Sequence, residues 1–384
     1  MKSLGLLSVG NFFATAHFFL IIYILVPYLA TLMPAHTAGL AVSFGAIVTL
    51  VLFPFMPKLV RTYSPQRVAV VLAVLEAGVL LSLSFYPSAL LAVVLASLAC
   101  AVPPLIVYQL DVLLEATVRN EQETGRIRTI FLTSSNIALL VTPLVIGFLL
   151  GYSDNYGRVF SFAALTLLPF ILLMGAKKLP HIVLPVYKNV TDACVCVVRD
   201  ADLRAVAASN ATLQFFFHLA PLYIPLYLHT VLGFPWTTLG WMFAVMLIPF
   251  VLLEYPAGYL ADTKFGDKKL LVLGFIITGI SFAAVGLITR ETSMPVILLI
   301  LVGTRIGAAL VEAMTESHFF RRVSEEDVNT VGIFRVMRPG GALIAPIVGT
   351  LLLSVSSYSV FFAVTGTLVL VAGLASALSI RDPM

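Results

Sequence analysis

Charge is what this 384-residue sequence has least of: Asp, Glu, Lys and Arg make up 11% of it, against roughly 25% in soluble domains. Hydrophobic residues make up 60%, more than the interior of a soluble fold can hide, so a soluble enzyme is excluded first. Cysteine is scarce as well. Cys100, Cys194 and Cys196 are too few for a disulfide framework, and Cys194-Val-Cys196 has no nearby His or second cysteine pair to complete a zinc site. No metal and no cofactor are expected. His-Glu-x-x-His, Gly-x-Ser-x-Gly and clustered aspartates are also missing, which leaves a membrane-embedded enzyme without a catalytic constellation. The net charge of +4 is spread among connecting loops instead of one face, so nucleic acid is not an expected partner. Nor does the start read as a cleaved signal: the apolar stretch after Met1 and Lys2 runs to Met33, beyond an h-region of about 7–15 residues.

What is present is a series of apolar runs, each long enough for a hydrocarbon core about 30 Å thick. The runs predict twelve spans: Leu4 to Met33, Thr37 to Pro57, Arg67 to Tyr86, Ser88 to Leu114, Ile127 to Leu150, Tyr156 to Ala176, Ala205 to Leu232, Trp236 to Leu260, Lys268 to Thr289, Met294 to Phe320, Val328 to Ser354 and Tyr358 to Ile380. Positive charge checks the map. With both termini cytoplasmic, all 23 Lys and Arg fall on the inner side except Arg158, Arg290 and the intramembrane Arg305. Inner loops of a membrane protein carry that excess, and one missed helix would invert every later loop. The expectation is a multi-pass protein of the cell (plasma or inner) membrane.

The chain also repeats itself. An offset of about 201 residues pairs Pro57-Lys-Leu-Val-Arg61-Thr with Gly258-Tyr-Leu-Ala-Asp262-Thr, Pro65 with Gly266, and Arg67 with Lys268. A nearly equal offset pairs Arg119 with Arg322, Glu123 with Glu326, and Val141-Thr142-Pro143 with Ile344-Ala345-Pro346. Two six-helix halves so related are the mark of parallel transporter repeats. The expected organisation is residues 1–176 as one bundle, 177–204 as a cytoplasmic linker with an interfacial helix, and 205–384 as the second bundle. Within the linker, Val186, Val190, Cys194 and Val197 recur at helical spacing.

On these motifs the chain resembles the major facilitator superfamily over essentially its whole length. Gly258-Tyr-Leu-Ala-Asp262-Thr-Lys-Phe-Gly266-Asp-Lys268-Lys269 is similar to the superfamily's signature loop between the second and third helices of a half, with one extra residue between Asp and Gly. The first-half loop departs from the pattern, carrying Arg61 in place of the Asp and Pro57 and Pro65 in place of the glycines. The resemblance implies an all-α fold of two pseudo-symmetric six-helix bundles around a midplane cavity, lined chiefly by the first and fourth helices of each half. It further implies that Asp262 latches onto the start of the fifth helix, at Thr124-Gly125-Arg126-Ile-Arg128, where free N–H groups favour negative charge. The alternative is a solvated loop carboxylate.

Ionisable groups at membrane depth are costly and are functional candidates by default. His17 in the first span and His218 in the seventh pair at the same offset and are expected to face each other across the pseudo-twofold axis, with Asn11, Tyr23, Asn210, Gln214 and Tyr223 around them. Either imidazole serves a coupling proton or a substrate oxygen, or else bonds only a neighbouring helix. Arg305 lies mid-span in the tenth helix, between Gly303 and Gly307. It is a fixed cation for an anionic group or coupling carboxylate, or one member of a structural ion pair. Asp111 and Glu312, nearer the cytoplasmic ends with Glu115, Glu254, Glu316, Arg335 and Arg338, read as gate salt bridges or proton sites. The sequence offers no role for Glu76 in the third span.

The resulting expectation is a secondary active transporter moving a small organic solute by alternating access, proton-coupled, monomeric, with export favoured over uptake because the cavity candidates mix aromatic and apolar residues with few polar ones. The competing readings are a non-transporting receptor or scaffold on the same fold, and a lipid-handling membrane enzyme.

Overall fold

The computed structural model describes residues 2–115, 121–176, 197–323 and 328–380. Twelve helices among them are long and apolar enough to cross a bilayer, and no strand occurs among the described residues. They are α1 (Lys2–Ala30), α2 (Ala35–Tyr63), α3 (Pro65–Ser84), α4 (Ala89–Glu115), α5 (Glu121–Leu150), α6 (Tyr156–Ala176), α7 (Ala201–Pro225), α8 (Trp236–Leu260), α9 (Gly266–Val285), α10 (Met294–Arg322), α11 (Val328–Val355) and α12 (Tyr358–Ser379). The chain is a multi-pass membrane protein, and each helix falls on one of the spans predicted from hydropathy.

Helices are the expected solution here, because a bilayer offers backbone groups no water. Several carry internal prolines, and the carbonyls these free must be satisfied locally. In α7, Pro221 and Pro225 precede a π-helical turn over Leu226–Val231, a wider winding than the α-helix before it.

The chain forms two compact units, one of Met1–Pro185 with Leu228–Ala244, the other of Val186–Tyr227 with Val245–Met384. In the first, α1 packs on α4, α5 and α6, and α3 packs on α4 and α6. The second repeats this at a spacing of six helices, with α7 on α10, α11 and α12, and α9 on α10 and α12. The sequence repeat is therefore a repeat of helix contacts.

The loops between second and third helices obey the same rule despite their different residues. Gly266 turns from the α8 segment into α9 with φ 74° and ψ 159°. Ser64 makes the equivalent turn into α3 with φ 72° and ψ 146°. That backbone region is nearly confined to glycine, so the first-half loop keeps the turn without the residue that suits it. Ser64 Oγ accepts a long hydrogen bond from the Arg67 amide (3.5 Å), and Pro65 supplies the fixed φ of a first helical position. The conformational counterpart of Gly266 is thus Ser64, one residue before the Pro65 that sequence pairing matched to it.

Candidate functional site

The polar residues of α1 and α7 separate into those that staple helices and those that do not. Asn11 donates to the Phe131 carbonyl (2.9 Å) and to the hydroxyls of Ser134 (3.1 Å) and Ser135 (2.6 Å) on α5. Asn210 donates to the Phe334 carbonyl of α11 (3.1 Å). Each half thus ties its first helix to its fifth by an asparagine on a phenylalanine carbonyl. Tyr223 adds a second tie, its hydroxyl donating to the Pro346 carbonyl (3.2 Å), and a Cβ on Gly349 would collide with the Tyr223 hydroxyl. Gln214 donates to Asn210 Oδ1 (3.2 Å), while its own backbone lies against Gly341 of α11. His218 Nδ1 contacts the Gln214 carbonyl of its own helix (2.8 Å). Tyr23 stacks on Phe243 at 5.6 Å between centroids, within the first unit.

His17 turns inward within its own unit. Its Nε2 lies 4.0 Å from Oε1 of Glu76 on α3, and both side chains are fully buried. None of the four polar atoms of the two groups has a hydrogen-bond partner in the protein. This pairing across α1 and α3 was not legible in the sequence.

Arg305 is 4% exposed, with its guanidinium carbon 5.4 Å from the Phe216 ring centroid on α7. The glycines beside it serve a different face. A Cβ on Gly303 would meet Ser281 Oγ at 2.5 Å, and one on Gly307 would meet Gly274 O at 2.5 Å, so both glycines admit α9. Residues two apart on a helix point in nearly opposite directions at about 100° per residue, which turns Arg305 from α9 toward α7. Asp111 and Glu312 are half-buried on α4 and α10, and both have partners.

In the signature loop, Gly266 is required by its φ, whereas a Cβ on Gly258 would meet open space. Lys268 Nζ donates to the Ile380 carbonyl just past α12 (2.8 Å), a cation on a helix C-terminus. Lys269 is exposed. The side chains of Asp262, Arg126 and Arg128, and residues 177–196 of the linker, lie outside the described residues. Helix α5 begins at Glu121, so the backbone around Arg126 lies inside the helix instead of at its start.

One cluster escaped the sequence analysis. His318 on α10 sits between two buried aspartates, Nε2 3.0 Å from Asp202 on α7 and Nδ1 3.3 Å from Asp267 on α9. Arg322 approaches Asp202 (2.5 Å) and Arg321 approaches Asp267 (3.3 Å). Each member is ordinary in sequence, since charged residues at span ends read as loop; only the meeting of three helices makes them one network.

Twelve helices able to span a bilayer and a six-helix repeat of contacts are the architecture of parallel transporter repeats. Residues 205–384 match the family model described as Major Facilitator Superfamily. Solved structures of the same fold include an auto-inhibited POT family peptide transporter, with a TM-score of 0.81 at 14% identity over 100% of this chain and 98% of that one. Another is the nucleoside transporter NupG, with a TM-score of 0.74 at 14% identity over 98% of this chain and 100% of that one. No curated protein matches the chain by sequence. The second half of the chain thus matches the Major Facilitator Superfamily, and the whole chain shares the fold of the two transporter structures.

Proposed function

We propose that the chain moves a small organic solute by alternating access, coupled to protons and in the export direction, as a monomer of the cell membrane with both termini in the cytoplasm. The observation that carries this reading is Arg305, a buried cation at mid-span whose guanidinium lies on an aromatic face. A charge there costs several kcal/mol by the range of ~2.5–3.5 on insertion scales, and it presents a planar fork suited to a carboxylate or phosphate oxygen pair. The ring of Phe216 beside it suits an amphipathic anion. The two solved relatives carry peptides in one case and nucleosides in the other, both small organic solutes. Asp111 and Glu312 serve as gate ion pairs.

The test is flux in proteoliposomes, using a radiolabelled panel of amphipathic organic anions with and without an imposed pH gradient. Movement of at least one solute, accelerated when protons flow the opposite way, is the expected result. Flux indifferent to the gradient removes proton coupling, and no protein-dependent flux of any solute leaves the receptor reading in its place.

A further inference from the structure

We propose that Glu76 and His17 together form an occluded proton-binding site inside the first unit, the place where the coupling proton of the transport reading is held. Only the coupling depends on that reading; the site stands on its own geometry. Glu76 lies mid-span on α3 and His17 mid-span on α1, 4.0 Å apart and without exposed surface. The buried thiol of Cys100 on α4 lies within electrostatic range of the carboxyl. The other helices packed on α1 and α3 are α2, α5 and α6; the ionisable residues of α2, His36, Lys58, Arg61 and Tyr63, lie at its ends, and α5 and α6 bring no ionisable side chain to this depth. Arg158 and Tyr156 lie in the first turn of α6, and the span of α5 from Ile130 has none.

A structural ion pair at such a place would have its remaining lone pairs and protons satisfied, because desolvating two charges is otherwise not offset. Here Nδ1 and Nε2 of His17 and both oxygens of Glu76 have no protein partner. The ring lies near the carbonyls of Phe13 and Ala14 in its own turn, neither at hydrogen-bond geometry. A static neutral acid would ordinarily donate to a carbonyl or hydroxyl. What the pair does offer is one acidic O–H and one basic ring nitrogen within a small side-chain rotation of each other.

The proton balance is simple. With one transferable proton the pair is uncharged overall, either as carboxylic acid beside neutral imidazole or as carboxylate beside imidazolium. The first form suits the sealed site, where the uncharged groups cost least. Release breaks the carboxyl O–H bond, passes the proton to the His17 ring nitrogen and on to water, and leaves a carboxylate with net charge −1. That charge is tolerable only once water reaches the pair, so proton loss and opening between α1 and α3 are linked. Because α1 also carries Asn11 and Tyr23, the same movement reaches residues on the rest of the helix.

The site is tested without any substrate. Purified protein in nanodiscs is titrated and followed by infrared difference spectroscopy of the carboxylic-acid C=O stretch. The expected result is a protonated-carboxyl band that disappears on alkalinisation, is absent in Glu76→Gln, and titrates at a different pH in His17→Gln. A Glu76 band that persists at every pH where the protein stays folded would show a permanent structural acid and overturn the proposal. So would a titration untouched by His17→Gln. If Glu76→Gln fails to fold, the comparison of wild type with His17→Gln decides alone. The transport reading fails separately, by absence of solute flux in the wild type. If flux exists, Glu76→Gln is expected to keep downhill solute exchange and lose at least tenfold of its response to a pH gradient.

Discussion

The guanidinium of Arg305 lies over the ring of Phe216, its central carbon 5.4 Å from the ring centroid. The contact joins α10 to α7 and holds the cation at mid-span, on the face turned away from the glycines that admit α9. A cation on an aromatic face gains about 0.5–2 kcal/mol.

If Arg305 serves substrate or coupling, Arg305→Lys keeps the charge but loses the planar fork. The expected outcome is normal expression and thermal stability with transport reduced at least tenfold. Were the residue purely structural, Arg305→Lys would transport nearly normally while Arg305→Ala lost stability. Expression, melting temperature and flux measured on both variants separate the two cases.

Ser64 holds a backbone conformation that suits glycine, at a strain of about 1–3 kcal/mol. Replacing it with glycine forfeits an N-cap contact worth only a few tenths of a kcal/mol in such an exchange. Relief of strain is the larger effect, so Ser64→Gly is expected to raise the melting temperature and leave transport unchanged. A lower melting temperature would show that the cap, and not the φ, governs this turn.

His318→Ala would leave Asp202 and Asp267 facing each other across an empty site. A loss on the order of 3 kcal/mol is expected, since removing one member of a buried charge network strands the rest. Because the members act together, Asp267→Asn in the same background should recover part of the loss. Simple additivity in thermal denaturation of the single and double variants would dissolve the network into independent contacts.

Topology is open to direct chemical labelling in a background where Cys100, Cys194 and Cys196 are replaced. Single cysteines at Ser64 and Lys264 are expected to react only from the cytoplasm, and those at Ala35, Ser153 and Glu291 only from outside. Labelling of positions 264 and 35 from the same side would invalidate the twelve-span orientation.

The spans were legible because hydrocarbon demands length and apolarity from each segment independently of its neighbours. The repeat was legible where chemistry repeats, as in Pro143 and Pro346. It was hidden where only conformation repeats, as in Ser64 and Gly266, whose shared turn no residue pairing reveals. Site residues fared differently. Asn11, Asn210 and Tyr223 stood out as polar groups in apolar helices, yet they bond backbone carbonyls, which have no sequence signal. Glu76 looked isolated because its partner, His17, lies two helices away. Asp202, Asp267 and His318 were passed over because charge near a span end is the ordinary case, and their meeting depends on how α7, α9 and α10 pack.

Alternating access is the central claim, and spin-label distances measured on the two faces of the protein test it most directly. One pair is placed at Ser153 and Glu291 and the other at Ser64 and Lys264, with distance distributions recorded in nanodiscs as pH is varied and as transported solute is added. The account predicts reciprocal shifts, in which populations that lengthen one pair shorten the other. Distances that stay fixed under every condition, or that lengthen together on both faces, would contradict it.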